Sequence, residues 1–202
     1  DLKNMEQSFT DKPTPGEKDP IAVWNRGFGT FLEMVNASPQ VVVAAVEGYA
    51  IAGGFGILCV SDVAICTEEA GFAMSETAIG IVPAQIAPFV AARIGVPQTR
   101  HLTLTAARFK GPEAHRLGIA HYLVKDSAAL DAKLEELLKQ IDRCAPIANA
   151  LTKQVVMKVG TEPLSQVLDF AADKFAQARR GPEASEGLRA FAEKRPPRWA
   201  VE

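Results

Sequence analysis

Two stretches of this chain hold residues whose types and spacing could do chemistry. From Gly48 to Gly56 the sequence reads Gly-Tyr-Ala-Ile-Ala-Gly-Gly-Phe-Gly. Glycines between a strand and a helix start let a backbone N–H approach a ligand oxygen with no Cβ in the way, and the helix dipole adds positive potential there. Such a turn stabilises a developing oxyanion. A phosphate cradle is the rival, but G-x-x-x-x-G-K-[ST] is absent, and Gly48, Gly53 and Gly54 do not fit G-x-G-x-x-G. A purely structural tight turn is the other reading. Downstream, Phe72-Ala-Met-Ser-Glu76-Thr-Ala-Ile-Gly80-Ile-Val-Pro83 sets one carboxylate in a mostly apolar segment. Desolvation raises the pKa of such a group, which suits proton transfer near neutral pH. A solvated turn glutamate or an N-cap partner is the plainer alternative.

The other polar residues carry less. Glu47 precedes Gly48 at a turn and reads as hydrogen-bonded structure. His101, His115 and His121 have no partner spacing for a metal or a triad and receive no role. Cys59, Cys66 and Cys144 form neither a C-x-x-C pair nor a metal pattern, and all three read as reduced core residues. No metal is expected.

Elements must position the glycines and Glu76. Residues 1–20 hold Pro13, Pro15, Gly16 and Pro20 among charges and read as a mobile loop. Residues 22–35 place Val23, Trp24, Phe28, Phe31, Leu32 and Val35 at helical spacing. Residues 40–46 read as a buried strand, then comes the glycine turn, a short helix over 55–60 and a second strand over 62–67. A short strand over 71–74 and a buried helix over 84–94 follow. Gly111-Pro112 starts a short helix that Gly118 ends, and 120–124 is a last strand. Beyond it the character changes. Leu130, Leu134, Leu137, Leu138 and Ile141 make an apolar stripe on a helix that Ser127 could cap, Pro146 and Pro163 sit at first-turn positions, and three more helical segments follow. The expected class is α/β, with residues 1–124 as the core and 125–202 as a helical region.

The 202 residues, 48% hydrophobic and 23% charged, fit one ordinary domain with at most a small appended one. The most apolar stretch, 41–60, is broken by Glu47 and by glycines and falls short of the about 18 apolar residues of a membrane span. No basic-then-apolar leader opens the chain, so a cytoplasmic setting is expected. A net charge of −2 offers no global attraction for nucleic acid.

Together these segments resemble the crotonase (enoyl-CoA hydratase/isomerase) superfamily. The matching string is Val43-Ala-Ala-Val-Glu-Gly-Tyr-Ala, Gly53-Gly54, Ser61-Asp62, Phe72, Glu76-x-x-x-Gly80-x-x-Pro83, Gly111-Pro-Glu-Ala, Leu117-Gly-Ile and Phe191-Ala-Glu-Lys-Arg-Pro-Pro-Arg. It runs nearly the length of the chain, and the ordered string is more specific than any one motif. The resemblance implies a spiral of strand–strand–helix turns followed by helices that assemble homotrimers or dimers of trimers. It implies an acyl-CoA substrate, CoA being part of the substrate and no separate cofactor being needed. It assigns Gly53 as one oxyanion-hole donor, Glu76 as the acid/base, and Gly54, Gly56 and Pro83 as lining. The second donor of the family belongs to an Ala-Gly-Ala/Gly-Asp segment whose Asp corresponds to Asp1, so that donor and the first strands are expected to be missing from this chain. Lys194 and Arg195, with Arg198, form a basic end that could meet the CoA phosphates or be a solvated terminus.

One departure bears on mechanism. Well-studied hydratases of the family carry another glutamate three residues after the oxyanion glycine, where this chain has Gly56. A space beside the substrate double bond is therefore expected there. Residues 83–90, Pro-Ala-Gln-Ile-Ala-Pro-Phe-Val, are similar to bacterial hydratases of branched glutaconyl-CoA substrates (3-methylglutaconyl-CoA, isohexenylglutaconyl-CoA). The resemblance thus points to an enoyl-CoA hydratase with a β-branched or glutaconyl-like substrate. A Δ3,Δ2-enoyl-CoA isomerase and a catalytically silent binding subunit are the alternatives.

Overall fold

The computed structural model describes residues 15–200. The expected loop over residues 1–20 and the position of Asp1 fall largely or wholly outside them. Helix α1 (Pro20–Asn36) starts with proline in its first turn, and the Asp19 carboxylate accepts the Ile21 N–H at 2.8 Å. Its sequence stripe divides: Gly29 and Leu32 are buried, while Val23 and Trp24 are 55% exposed.

The strands alternate between two sheets. β1 (Val43–Val46) runs through the Glu47-Gly48 turn into β2 (Tyr49–Ile51), and α2 (Gly53–Val60) follows; β3 (Val63–Thr67) and β4 (Gly71–Ala73) repeat the pattern. After a 3-10 turn (Glu76–Ile79) and α3 (Ala87–Thr105) come β5 (Arg108–Lys110), α4 (Gly111–Arg116) and β6 (Tyr122–Val124). β1, β3 and β6 form one all-parallel sheet, Val46 opposite Cys66 and Cys66 opposite Leu123. In the other sheet β2 and β4 are parallel, Ile51 opposite Ala73, and β5 is antiparallel to β4. This is the spiral of ββα turns that the sequence resemblance implies.

Period-two alternation divides the core. Ala64 and Cys66 of β3 join the main cluster with Phe55, Phe72 and Val90, while Ile65 faces Leu130 and Leu137 of α5 (Ser127–Asp142). Phe55, Phe72 and Phe109 bind α2 to the second sheet, Phe72 stacked on Phe109 at 5.7 Å and Phe55 edge-on to both. Helix α3 is bent at Gly95 (φ 79°), two residues before Pro97. The first turn of α5 is capped by Asp126, which accepts the Ala129 N–H at 3.0 Å, rather than by the Ser127 expected from sequence.

Helices α6 (Pro146–Val156), α7 (Leu164–Arg180) and α8 (Pro182–Ala192) complete the chain. The Glu183 carboxylate of α8 accepts the Ile147 and Ala148 N–H groups at 2.9 and 3.0 Å, so α6 is capped from a helix 35 residues further along. The Lys153 ammonium reaches Asp62 at 2.7 Å, and the same Asp62 oxygen accepts the Val42 N–H at 2.8 Å. That pair joins α6 to the start of the first sheet. Cys59 and Cys66 are buried as expected, their thiols pushed up to about 12 and about 11 by burial, with Arg93 opposing at Cys59. Cys144 departs from expectation and is exposed, because it follows the last turn of α5.

Candidate active site

The register of the second sheet places the two candidate groups just beyond a pair of neighbouring strand ends. Ile51 and Ala73 are partners at the C-terminal ends of two parallel strands. Gly53 follows the first of these ends and Glu76 the second. Ligands of α/β sheets bind outside the carboxyl ends of adjacent strands, where such groups can converge.

Between Ile51 and Gly53 stands Ala52, with φ 50° and ψ −120°, a conformation that residues with a Cβ avoid. It turns the chain from strand to helix within one residue. The Ala52 carbonyl accepts the Phe55 and Gly56 N–H groups at 2.9 and 3.1 Å. The N–H groups of Gly53 and Gly54 precede these in the first helical turn and have no carbonyl of their own helix to meet. Among the described residues neither meets an acceptor, and N–H groups at a helix N-terminus suit an anionic oxygen. A Cβ at Gly53 would lie 3.1 Å from Cζ of Phe28 on α1, so an aromatic ring backs the turn.

Glu76 opens the 3-10 turn, and Gly80 closes it in the left-handed region (φ 79°). The Ile81 N–H returns to the Glu76 carbonyl at 3.1 Å, and the Thr77 hydroxyl donates to the Thr103 carbonyl of α3 at 2.7 Å. The backbone under Glu76 is thus held from both sides. The residue is only 9% exposed, and its Oε2 is buried with no hydrogen-bond partner. Burial pushes its pKa above the ordinary carboxylate range, opposed in part by its own N–H. Buried polar atoms in native proteins are almost always paired, so an orphaned carboxylate oxygen marks a place where a proton or a ligand group belongs.

Gly56 departs from expectation. The open space predicted beside it is filled: a Cβ there would lie 2.3 Å from Cγ2 of Ile86 and 3.5 Å from Cδ1 of Leu32. Gly56 is a packing glycine whose missing side chain makes room for Ile86, itself 3% exposed. Pro83 begins the segment that delivers Ile86, its carbonyl accepting the Ala87 N–H at 3.0 Å. Arg195 lies past the end of α8 and is not a free cation. Its guanidinium meets Glu186 at 2.8 Å and Glu193 at 2.6 Å, and Arg195 and Arg189 hold the Glu186 carboxyl down to about 2. Lys194 is exposed and sits at φ 54°. Among the described residues no group of three or more His, Cys, Asp and Glu could hold a metal ion, and no helix is long and apolar enough to cross a membrane.

The sequence reading missed Ala52, Phe28, Gln85 and Ile86. A signal existed for the last two. Gly29 and Gly56 are glycines inside helices, which weaken a helix unless something packs against them.

The sequence profile described as Enoyl-CoA hydratase/isomerase matches residues 14–202. The chain belongs to this family. A crystal structure of an enoyl-CoA hydratase/isomerase from Marinobacter aquaeolei is 45% identical and superposes with a TM-score of 0.94, covering 100% of this chain and 76% of that one. Pseudomonas aeruginosa AtuE is 49% identical, with a TM-score of 0.92 and the same two coverages. A carnitinyl-CoA dehydratase of Salmonella enteritidis is 30% identical over 189 residues, 91% of this chain and 72% of its own length. The chain spans 63% of the length of a Thermus thermophilus relative to which it is 32% identical over 161 residues.

Proposed function

We propose that the protein is an enoyl-CoA hydratase that adds water across the α,β double bond of a β-branched or glutaconyl-like thioester. The observation that carries this reading is the buried Glu76 carboxyl, with one oxygen unpartnered, on the strand end beside the glycine turn. The Gly53 N–H donates to the thioester oxygen, on which negative charge accumulates as the water oxygen bonds to Cβ. Glu76 takes one proton from that water and returns it to Cα, so the carboxylate is regenerated and the elements of one water molecule are added. Desolvation of Glu76 keeps its basicity high enough for the first transfer. A relative named for dehydration of a CoA thioester, the reverse sense of the same chemistry, supports water addition. The glutaconyl-like acyl group rests on the similarity of residues 83–90.

Isomerisation of a 3-enoyl-CoA is the second reading. The observation favouring it is Ile86 in the place where a second carboxylate would stand, since moving a proton between carbons needs one carboxylate only. Ultraviolet absorbance of the conjugated thioester separates the two: it falls on hydration of a 2-enoyl-CoA and rises on isomerisation of a 3-enoyl-CoA. Silence in both assays with CoA ester still bound removes both readings. Assembly as a homotrimer or a dimer of trimers belongs to the same proposal. The exposed Leu164, Leu168 and Phe175 on one stripe of α7 support it.

A further inference from the structure

Gln85 and Ile86 are neighbours, and each is sunk into a glycine notch on a different helix. A Cβ at Gly29 of α1 would lie 2.0 Å from Oε1 of Gln85, and a Cβ at Gly56 of α2 would lie 2.3 Å from Cγ2 of Ile86. Gly29 and Gly56 are both buried. The Gln85 amide also donates to Oδ1 of Asn25 at 2.8 Å, one turn before Gly29 on α1. The chain between Glu76 and this pair has little slack. Ile81 N–H returns to Glu76, Ala84 N–H to Val82 at 2.8 Å, and Ala87 N–H to Pro83.

We propose that Gln85 and Ile86 are positioning residues, a two-point latch that fixes the Glu76 carboxyl against the Gly53 N–H by seating the segment after Glu76 in α1 and α2. The inference rests on the acid/base reading of Glu76 given above. Gly53 is the first residue of α2, and Gly56, the notch for Ile86, lies one turn further on. Phe28 of α1 backs Gly53, and Gln85 holds α1 one residue away at Gly29. The latch therefore grips the two helices that shape the oxyanion turn. A side chain at Gly56 would have to displace Ile86, whose Cγ2 would lie 2.3 Å from its Cβ. Geometry of this kind acts on turnover more than on binding, since misplacement of a reacting group by about 1 Å costs about 10²-fold in rate.

The test is a size swap. Gly56→Ala pushes Ile86 out of its notch, and Ile86→Ala leaves the notch empty; in the double variant the new methyl takes the place of the lost ones once residue 86, whose Cβ would stand at 3.0 Å, gives by a few tenths of an ångström. Each single variant, shown to be folded by circular dichroism, is expected to lose about 10²-fold in kcat with KM within about threefold. The acid limb of its pH–rate profile is expected to move down as water reaches Glu76. The double variant is expected to regain at least half of the lost logarithm of kcat. Gln85→Ala is expected to give a smaller loss of the same kind. Folded single variants with wild-type kcat and an unmoved acid limb, or a double variant showing the product of both losses, overturn the latch. Glu76→Gln assayed alongside separates the two ideas. If that variant stays active the acid/base reading fails and the latch with it; if it is inactive while the folded latch variants keep wild-type kcat and acid limb, the latch alone is overturned.

Discussion

The Ala52 N–H donates to the Ala73 carbonyl at 3.1 Å, the last rung between the strand that ends in the glycine turn and the strand that ends in Glu76. Beyond this rung the chains diverge, one into α2 and the other into the 3-10 turn. The two candidate groups thus follow one shared backbone pairing, Gly53 directly after Ala52 and Glu76 in the turn that follows Ala73.

Glu76→Gln is expected to lower kcat by about 10²–10⁴-fold while binding of the thioester changes little, because the amide keeps the shape and cannot accept a proton. Steady-state kinetics and calorimetric binding of a non-reactive CoA ester check it. A variant that keeps more than about a tenth of wild-type kcat removes Glu76 from the mechanism.

The same substitution has a consequence for stability. The folded pKa of Glu76 lies above its unfolded value because burial penalises the charge. The folded state therefore holds the proton more tightly, and stability falls as pH rises from the unfolded pKa through the folded one. Glu76→Gln is expected to raise the thermal midpoint at neutral pH, with the gain vanishing below the ordinary carboxylate range. Midpoints recorded from pH 3 to 8 give the answer; a constant difference at all pH values contradicts it.

Gly53→Val is expected to cost about 10²–10³-fold in kcat, since its side chain would enter the ring of Phe28 and turn the N–H away from the carbonyl. Combined with Glu76→Gln, the loss is expected to be smaller than the product of the two, because both groups act on one transition state. Normal turnover in a folded Gly53→Val protein counts against the oxyanion role.

The candidate residues and their elements were legible in the sequence to different degrees and for physical reasons. Glu76 stood out because a lone carboxylate in an apolar run is a local property. The helix over 22–35 declared itself through periodicity and the strand over 62–67 through its β-branched residues, and the observed bounds differ by only a few residues. Strand β2 was hidden: its three residues lie inside the glycine-rich stretch and read as turn. β5 was hidden because an edge strand of Arg108, Phe109 and Lys110 has no apolar alternation to show. Gly56 misled because a missing side chain says nothing about what fills its place, and the filler stands 30 residues away. Arg195 read as an available cation because its partner Glu186 is on the previous helix and only folding brings them together.

Lys153→Met is expected to destabilise the protein by about 2 kcal/mol, the cost of leaving a part-buried carboxylate without its charged hydrogen-bond partner. The side chains of Lys153 and Asp62 are 13% and 27% exposed, so solvent compensates little. Denaturant unfolding measures it, and a change under about 0.5 kcal/mol, typical of an exposed pair, refutes the tether.

His121 supplies a pH-dependent contribution. Its Nδ1 accepts the Ala64 N–H at 3.0 Å, which requires the neutral ring, and Arg93 stands 3.4 Å from the same nitrogen. Burial and then Arg93 hold its pKa below the ordinary imidazole value. A depressed histidine binds fewer protons folded than unfolded, so stability is lost as pH falls through the unfolded pKa toward the folded one. His121→Gln is expected to flatten the dependence of the thermal midpoint between about pH 5 and 7, whatever its effect at pH 8. An unchanged slope over that range rules the histidine out as its source.

The cap that Glu183 places on α6 has a consequence for the order in which the molecule can be made. A ribosome releases α6 well before residue 183, so the first turn of α6 emerges with its Ile147 and Ala148 amides bare. Trp199, whose indole N–H closes on the Arg143 carbonyl at 3.2 Å, emerges later still. Domains generally fold as units as the chain emerges, and the spiral through β6 has all its described strand pairs by Val124. The helical end is therefore fastened later than it is made, with Glu183 and Trp199 closing on helices synthesised before them.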